Sequence, residues 1–318
     1  MGSGSDYRQR FSSDIRSDKD VIHAGTKITD VIDDPIFEGY GRLIFPTVFG
    51  RPSRSMTLED AGDMLIYHNY VNTDTTVDVI REMKERRMKG EKIFWDIYSE
   101  TEKMQDPDKR DTGLFFFRGN REYPFAVVCA GGGFYYVGSI HESLPHALEL
   151  SRRGYNGFAL VYRTRTADAA CEDLARALTV IFSNAEKLGA DTAGYSLWGG
   201  SAGARIAAYV GAYGTGAFRE PSLPHAAAVI MQYTGHSQYS RQDPPTYACV
   251  GGRDGIADWR VMKRRLECLK TFGIDTEFHL YPELRHGFGL GLGTEAEGWI
   301  DDAVSFWERN RKEECKKL

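Results

Sequence analysis

An α/β fold, with a mostly parallel, doubly wound sheet flanked by helices, is what this sequence predicts, and three observations predict it. From about residue 113 onward, short β-rich runs alternate with stretches of helical period, the alternation that crossover connections between parallel strands require. Most of those runs are continuously apolar rather than alternating, as strands covered on both faces are. The chain has 318 residues, 42% hydrophobic and 27% charged, long enough to bury a large core and too apolar to stay disordered.

In chain order, residues 1–20 are polar and expected to be flexible, and Met1-Gly2-Ser3-Gly4-Ser5 reads as a linker. Residues 21–90 form an N-terminal extension that packs on the core or caps part of it. Within it, helical spacing predicts helices over 57–67 and 75–88, with Thr57 and Asp60 as a capping box. The aromatic, Gly- and Pro-rich stretch 35–52 has no clean period and reads as irregular coil. Residues 91–311 form the α/β domain, and 312–318 a C-terminal tail. An antiparallel pair, 92–99 with 113–118, leads into strands at 125–129, 157–162, 195–198, 226–231, 246–250 and 276–281. Between and after them, 168–188, 202–213, 259–272 and 295–309 carry apolar residues at helical spacing.

Composition excludes several classes of function. With 40 Lys+Arg against 45 Asp+Glu the net charge is −5, the wrong sign for a nucleic-acid partner. No apolar run approaches the roughly 20 residues of a membrane span. A polar start without signal character makes a cytoplasmic location the expectation, with a removed signal peptide as the alternative. Cys129, Cys171, Cys249, Cys268 and Cys315 are odd in number and widely spaced, so they read as buried thiols rather than a disulfide framework. Neither CxxC nor HExxH occurs, so no metal is expected.

The strongest chemical signal is Gly199-Gly200-Ser201-Ala202-Gly203, directly after an apolar strand and directly before a helix. That is the context a G-x-S-x-G nucleophile elbow requires, because only small neighbours allow the strained turn that lifts a serine above the sheet. With 34 glycines the bare pentapeptide says little, and its flanks carry the argument. Such a serine needs a base and donors for an oxyanion. Ala130-Gly131-Gly132-Gly133 follows strand 125–129, so Gly132 and Gly133 are assigned as oxyanion donors together with the N–H of Ala202. His286, just past strand 276–281, is the expected base, and Asp254, just past strand 246–250, the acid that orients it. Asp258 is the alternative acid, although its position suits a helix N-cap. The order Ser201, Asp254, His286 is the one expected of α/β-hydrolases rather than of chymotrypsin or subtilisin arrangements.

These motifs, with Phe134-Tyr135 after the glycines and Gly287-Phe288 after His286, resemble the α/β-hydrolase superfamily, nearest to acetyl-xylan-esterase-like and hormone-sensitive-lipase-like carboxylesterases. The resemblance covers roughly residues 90–311. It departs at Ala130, where many relatives carry His or Pro, so support for the glycine loop must come from elsewhere. What the resemblance implies is an uncapped or lightly capped esterase without metal or organic cofactor, acting on a small-molecule ester with a short, acetyl-like acyl group. An amide or peptide hydrolase of formamidase or aminopeptidase type, and a non-catalytic binding protein, are the alternatives on the same scaffold. The oligomeric state stays open.

The short connection 232–245 leaves no room for a large internal lid. Cover is expected from that loop or from residues 35–70. Phe134, Tyr135, Tyr233 and His236 are the candidate substrate-binding residues. His141 and Glu142 suit a helix start or a supporting role, and Arg163 and Arg165 are left outside the site.

Overall fold

The computed structural model describes residues 21–314. In chain order the elements are α1 (Ile28–Ile32), α2 (Thr73–Met88), β1 (Phe94–Trp95), α3 (Glu100–Gln105), β2 (Gly113–Phe117), β3 (Tyr123–Cys129), α4 (Ser143–Arg152), β4 (Asn156–Val161), α5 (Ala167–Ser183), α6 (Ala185–Leu188), β5 (Ala190–Gly200), α7 (Ala202–Tyr213), β6 (Ala228–Gln232), β7 (Thr246–Gly251), α8 (Trp259–Thr271), β8 (Thr276–Tyr281) and α9 (Trp299–Glu314). The eight strands form one sheet in the order β1-β2-β4-β3-β5-β6-β7-β8. Pairings β1/β2 and β2/β4 are antiparallel, and the remaining five are parallel.

Burial explains the uniform apolar runs. Every residue of β2, β4, β6 and β7 is buried, which requires cover on both faces. The β3-to-β4 crossover steps one way along the sheet, and β4-to-β5, β5-to-β6 and β7-to-β8 step the other. Right-handed connections therefore put α4 on one face and α5, α7 and α8 on the opposite one. The C-terminal ends of β3, β5, β7 and β8 meet along one edge of the sheet, where the expected site loops emerge.

Several boundaries differ from the sequence expectation, each for a local reason. The antiparallel pair is only Phe94 with Phe115 and Trp95 with Leu114, because Ser99 and Glu102 form a capping box that starts α3 at once. Segment 57–67 is a 3-10 helix, Leu58–Met64, rather than an α-helix. Its start is held as expected, Thr57 N–H donating to Asp60 Oδ2 at 2.8 Å, but Gly62 weakens continuation. The 168–188 stretch breaks at Asn184, whose Nδ2 donates to the Val180 carbonyl at 2.8 Å and separates α5 from α6. The last helix starts at Trp299, after Gly298 at φ 89°, and runs to Glu314 rather than over the expected 295–309. Helix α4, with Glu142 as its N-cap, starts where the sequence suggests a helix start without marking its extent. The stretch 35–52 holds two short 3-10 turns, Pro35–Phe37 and Gly41–Ile44.

The extension shares the core of the sheet. Phe37, Leu43, Ile44, Phe45, Leu58 and Leu65 belong to the same buried cluster as the strand residues. Tyr40 stacks on Phe94 at 4.7 Å and meets Phe115 edge-on at 5.8 Å. Cys129, Cys171 and Cys249 are buried and Cys268 is half-buried, all as free thiols. Burial and the nearby Asp168 push the Cys171 thiol up to about 12. Cys315 and residues 1–20 lie outside the described residues. No helix among the described residues is long and apolar enough to cross a membrane.

Candidate active site

Ser201 sits between the last residue of β5 and the first of α7 with φ 51° and ψ −113°, a conformation that costs a non-glycine residue of order 1–3 kcal/mol. The surroundings enforce it. A Cβ at Gly199 would collide with the backbone of Gly203, and one at Gly203 with the carbonyl of Cys129, so the turn closes only with glycine at both positions. Ser201 N–H donates to the Gln232 carbonyl at 2.9 Å, which ties the turn to β6.

His286 and Asp254 arrive from the loops after β8 and β7. The Ser201 Oγ lies 3.0 Å from His286 Nε2, and His286 Nδ1 lies 2.7 Å from Asp254 Oδ2. The Asp254 side chain is fully buried and that of His286 is 3% exposed. The second Asp254 oxygen accepts the N–H groups of Ile256 at 2.8 Å and Ala257 at 2.7 Å, so the carboxylate cannot swing away. Acting as an acceptor, it requires Nδ1 to carry a proton, which leaves Nε2 free to accept from the serine hydroxyl. Asp258 takes no part: it is the N-cap of α8 and accepts the N–H of Arg260 at 3.0 Å.

The glycine loop lies against the elbow. Gly132 and Gly133 have φ of 133° and 64°, and Phe134 follows at 58°. The Gly132 carbonyl accepts from Tyr135 and Tyr136, and Gly131 O from Gly138. Among the described residues no acceptor is recorded for the N–H groups of Gly132 and Gly133, while the N–H of Ala202 is one of the unpaired donors at the start of α7. The Gly131 N–H is taken by the Glu142 carboxylate, so it is not available to a ligand.

Phe134 and the half-exposed Tyr135 line a cleft of about 360 Å³ beside this loop, with Phe45, Thr47, Asp108 and Arg165 on its other walls. Tyr233 and His236 do not line it, contrary to the sequence expectation. Tyr233 is fully buried; its O–H donates to Glu142 Oε1 at 2.8 Å and its ring meets His286 edge-on at 5.0 Å. His236 packs edge-on against Tyr209 at 4.9 Å, and burial with the charges of Arg265 and Arg205 pushes it down to about 3. Tyr233 stands at φ 31° directly after β6. Arg163 is held by Asp173, Glu172 and Asp106, and Arg165 pairs with Asp108 at 3.1 Å while its N–H donates to the Phe134 carbonyl at 2.7 Å.

Sequence reasoning missed the tetrapeptide Tyr67-His68-Asn69-Tyr70. Tyr67 stacks on Tyr136 at 5.7 Å, Asn69 Nδ2 donates to the His286 carbonyl at 2.7 Å and Asn69 N–H to Gly287 O at 3.2 Å. Tyr70 Oη accepts the N–H of Arg285 at 3.2 Å. Four consecutive side chains with polar tips are the only sequence signal, and nothing local states which loops they meet.

Residues 117–251 match the BD-FAE family model. No curated protein matches the chain. The fold is similar to that of an α/β-hydrolase enzyme from a Medee basin deep-sea metagenome library, at a TM-score of 0.55 and 21% identity over 63% of this chain and 93% of that one. It is similar to an acetyl ester-xyloside bifunctional hydrolase from Caldicellulosiruptor lactoaceticus, at 0.56 and 21% over 62% and 88%. It is similar also to a thermophilic esterase from Thermogutta terrifontis with propionate bound, at 0.52 and 19% over 63% and 89%. The eight-stranded, mostly parallel sheet and these likenesses together show that the chain has the α/β-hydrolase fold.

Proposed function

We propose that the chain is a serine carboxylic-ester hydrolase working through an acyl-enzyme. The observation that carries this reading is the unbroken line from Asp254 through His286 to a serine Oγ 3.0 Å from the imidazole. In the proposed mechanism His286 takes the proton as Ser201 Oγ attacks the ester carbonyl, and Asp254 stabilises the imidazolium that forms. The N–H groups of Gly132, Gly133 and Ala202 stabilise the tetrahedral oxyanion. His286 then returns its proton to the leaving alcohol. Water, activated by the same histidine, attacks the acyl-enzyme, releasing the acid and restoring the serine. Short, acetyl-like acyl groups on a carbohydrate or other small alcohol are the proposed substrates. Similarity to an acetyl ester-xyloside hydrolase and to a propionate-bound esterase supports that choice.

The test is mass spectrometry after exposure to a fluorophosphonate, beside Ser201→Ala. One adduct on Ser201 in the wild type and none in the variant is the expected result, with p-nitrophenyl acetate turnover lost in Ser201→Ala by roughly 10⁴-fold or more. Retained turnover in a folded Ser201→Ala overturns the proposal. A panel pairing esters with the matching amides separates this reading from an amide hydrolase.

A further inference from the structure

Glu142 is a buried carboxylate beneath the glycine loop, and it lies against the elbow as well. A Cβ at Gly200 would lie 2.7 Å from its Oε2. Three donors converge on it: the N–H of Gly131 on Oε2, the O–H of Tyr233 on Oε1 at 2.8 Å, and Nε2 of His68 on Oε1 at 2.9 Å. Both His68 and Glu142 side chains are only 1% exposed. The opposite nitrogen of His68 lies 2.8 Å from Tyr136 Oη, which itself accepts the N–H of Tyr67 at 3.0 Å. With Nε2–H donating to Glu142, Nδ1 is the nitrogen that faces the Tyr136 hydroxyl. Burial would push the Glu142 carboxyl up, but His68 and the Gly131 N–H hold it well below the usual carboxylate range.

We infer that His68 is a positioning residue for the oxyanion loop, acting through Glu142. The carboxylate takes the Gly131 N–H and so fixes the rotation of the peptides that follow. His68 and the Tyr233 hydroxyl together hold Oε1, which keeps Oε2 turned toward Gly131. A buried carboxylate that loses one partner is left under-compensated, so removing the His68 donor loosens the anchor that Glu142 gives to the loop. The effect on turnover rests on the ester-hydrolase reading above; the effect on loop order does not.

The experiment compares His68→Gln with His68→Asn. The glutamine nitrogen reaches the place of Nε2 and can donate to Glu142, whereas asparagine reaches only the place of Nδ1. Expected for His68→Asn is a kcat on p-nitrophenyl acetate lower by about 10- to 100-fold, with KM within about threefold of the wild type. His68→Gln stays within about fivefold of wild type in kcat. Deuterium uptake in the peptide spanning residues 130–138 rises in His68→Asn and not in His68→Gln. Equal kcat in the two variants, or wild-type uptake in folded His68→Asn, overturns the inference. If His68→Asn does not fold, Tyr136→Phe removes only the hydroxyl that orients His68 and must raise uptake in the same peptide; unchanged uptake there overturns it. Should the wild type neither hydrolyse the ester nor accept a fluorophosphonate, the functional reading fails, and deuterium uptake alone decides whether His68 anchors the loop.

Discussion

Asp254 and Asp258 stand four positions apart in one loop and do different physical work. Asp254 is buried and spends one oxygen on His286 and the other on two backbone N–H groups; Asp258 is exposed and caps a helix. Replacing Asp254 by Ala is expected to lower kcat by roughly 10³- to 10⁴-fold, because His286 loses the tautomer that accepts from Ser201. Asp258→Ala is expected to cost about 1 kcal/mol of stability through the lost cap and to leave turnover at the wild-type rate. Steady-state kinetics and urea denaturation on both variants check this, and a large loss of turnover in Asp258→Ala would reverse the assignment. That Ser201, Asp254 and His286 converge was legible in the sequence because each lies shortly after the C-terminal end of a strand, and strand ends determine where such residues emerge. Tyr233 also follows a strand directly, yet its side chain is buried against Glu142 and His286, a placement that residue type does not reveal. Glu142 illustrates the same limit. It stands at the start of α4 but makes no side-chain cap; its oxygens reach Gly131, Tyr233 and His68, positions that adjacency in sequence cannot connect.

At the scale of elements, continuously apolar strands were the legible part and α4 was the main omission. The sheet order itself was not readable, because which strand neighbours which is settled by crossover handedness rather than composition. Helix α4 buries Ser143, Leu144, Pro145, His146, Ala147, Leu148, Leu150 and Ser151, so polar and apolar residues alike face inward and no amphipathic stripe marks it. Two of its polar members are satisfied inside, His146 Nε2 meeting Gln232 Oε1 at 2.9 Å and Ser151 Oγ accepting from Arg86 at 3.1 Å, while the Ser143 hydroxyl is buried without a partner among the described residues; His141, just before the helix, meets the Gly287 carbonyl through Nε2 at 2.9 Å. The 3-10 turns of the extension were equally silent, although they carry much of its burial. Tyr40 joins them to the sheet by its stack on Phe94 and its edge contact with Phe115. Tyr40→Ala is expected to lower stability by about 3 kcal/mol or more, the range for truncating a buried aromatic. A change below about 1 kcal/mol in urea denaturation would mean that this contact does not hold the extension down.

Across the whole molecule, two buried histidines couple stability to pH. Burial, reinforced by His68, pushes His141 down to about 4, and burial with Arg265 and Arg205 pushes His236 down to about 3. In the unfolded chain both return to about 6.5. Below that pH the unfolded state binds protons that the folded state refuses, so stability is intact above about 6.5 and falls as pH drops toward 5. Each histidine contributes up to about 1.4 kcal/mol per pH unit. Glu142, whose carboxyl is held low in the fold, adds in the same direction further down the scale. Urea midpoints should be lower at pH 5 than at pH 7.5, with a smaller difference in His236→Gln, and equal midpoints would contradict the shifts. The tetrapeptide 67–70 has a consequence in time as well as in space. Asn69 bonds the carbonyl of a residue 217 positions later, and at about 5–20 residues per second that partner leaves the ribosome roughly 10–40 s after it. Until then a nascent chain has the 67–70 strap and its serine but not its histidine. On the proposed mechanism the growing polypeptide therefore lacks its base through most of its synthesis.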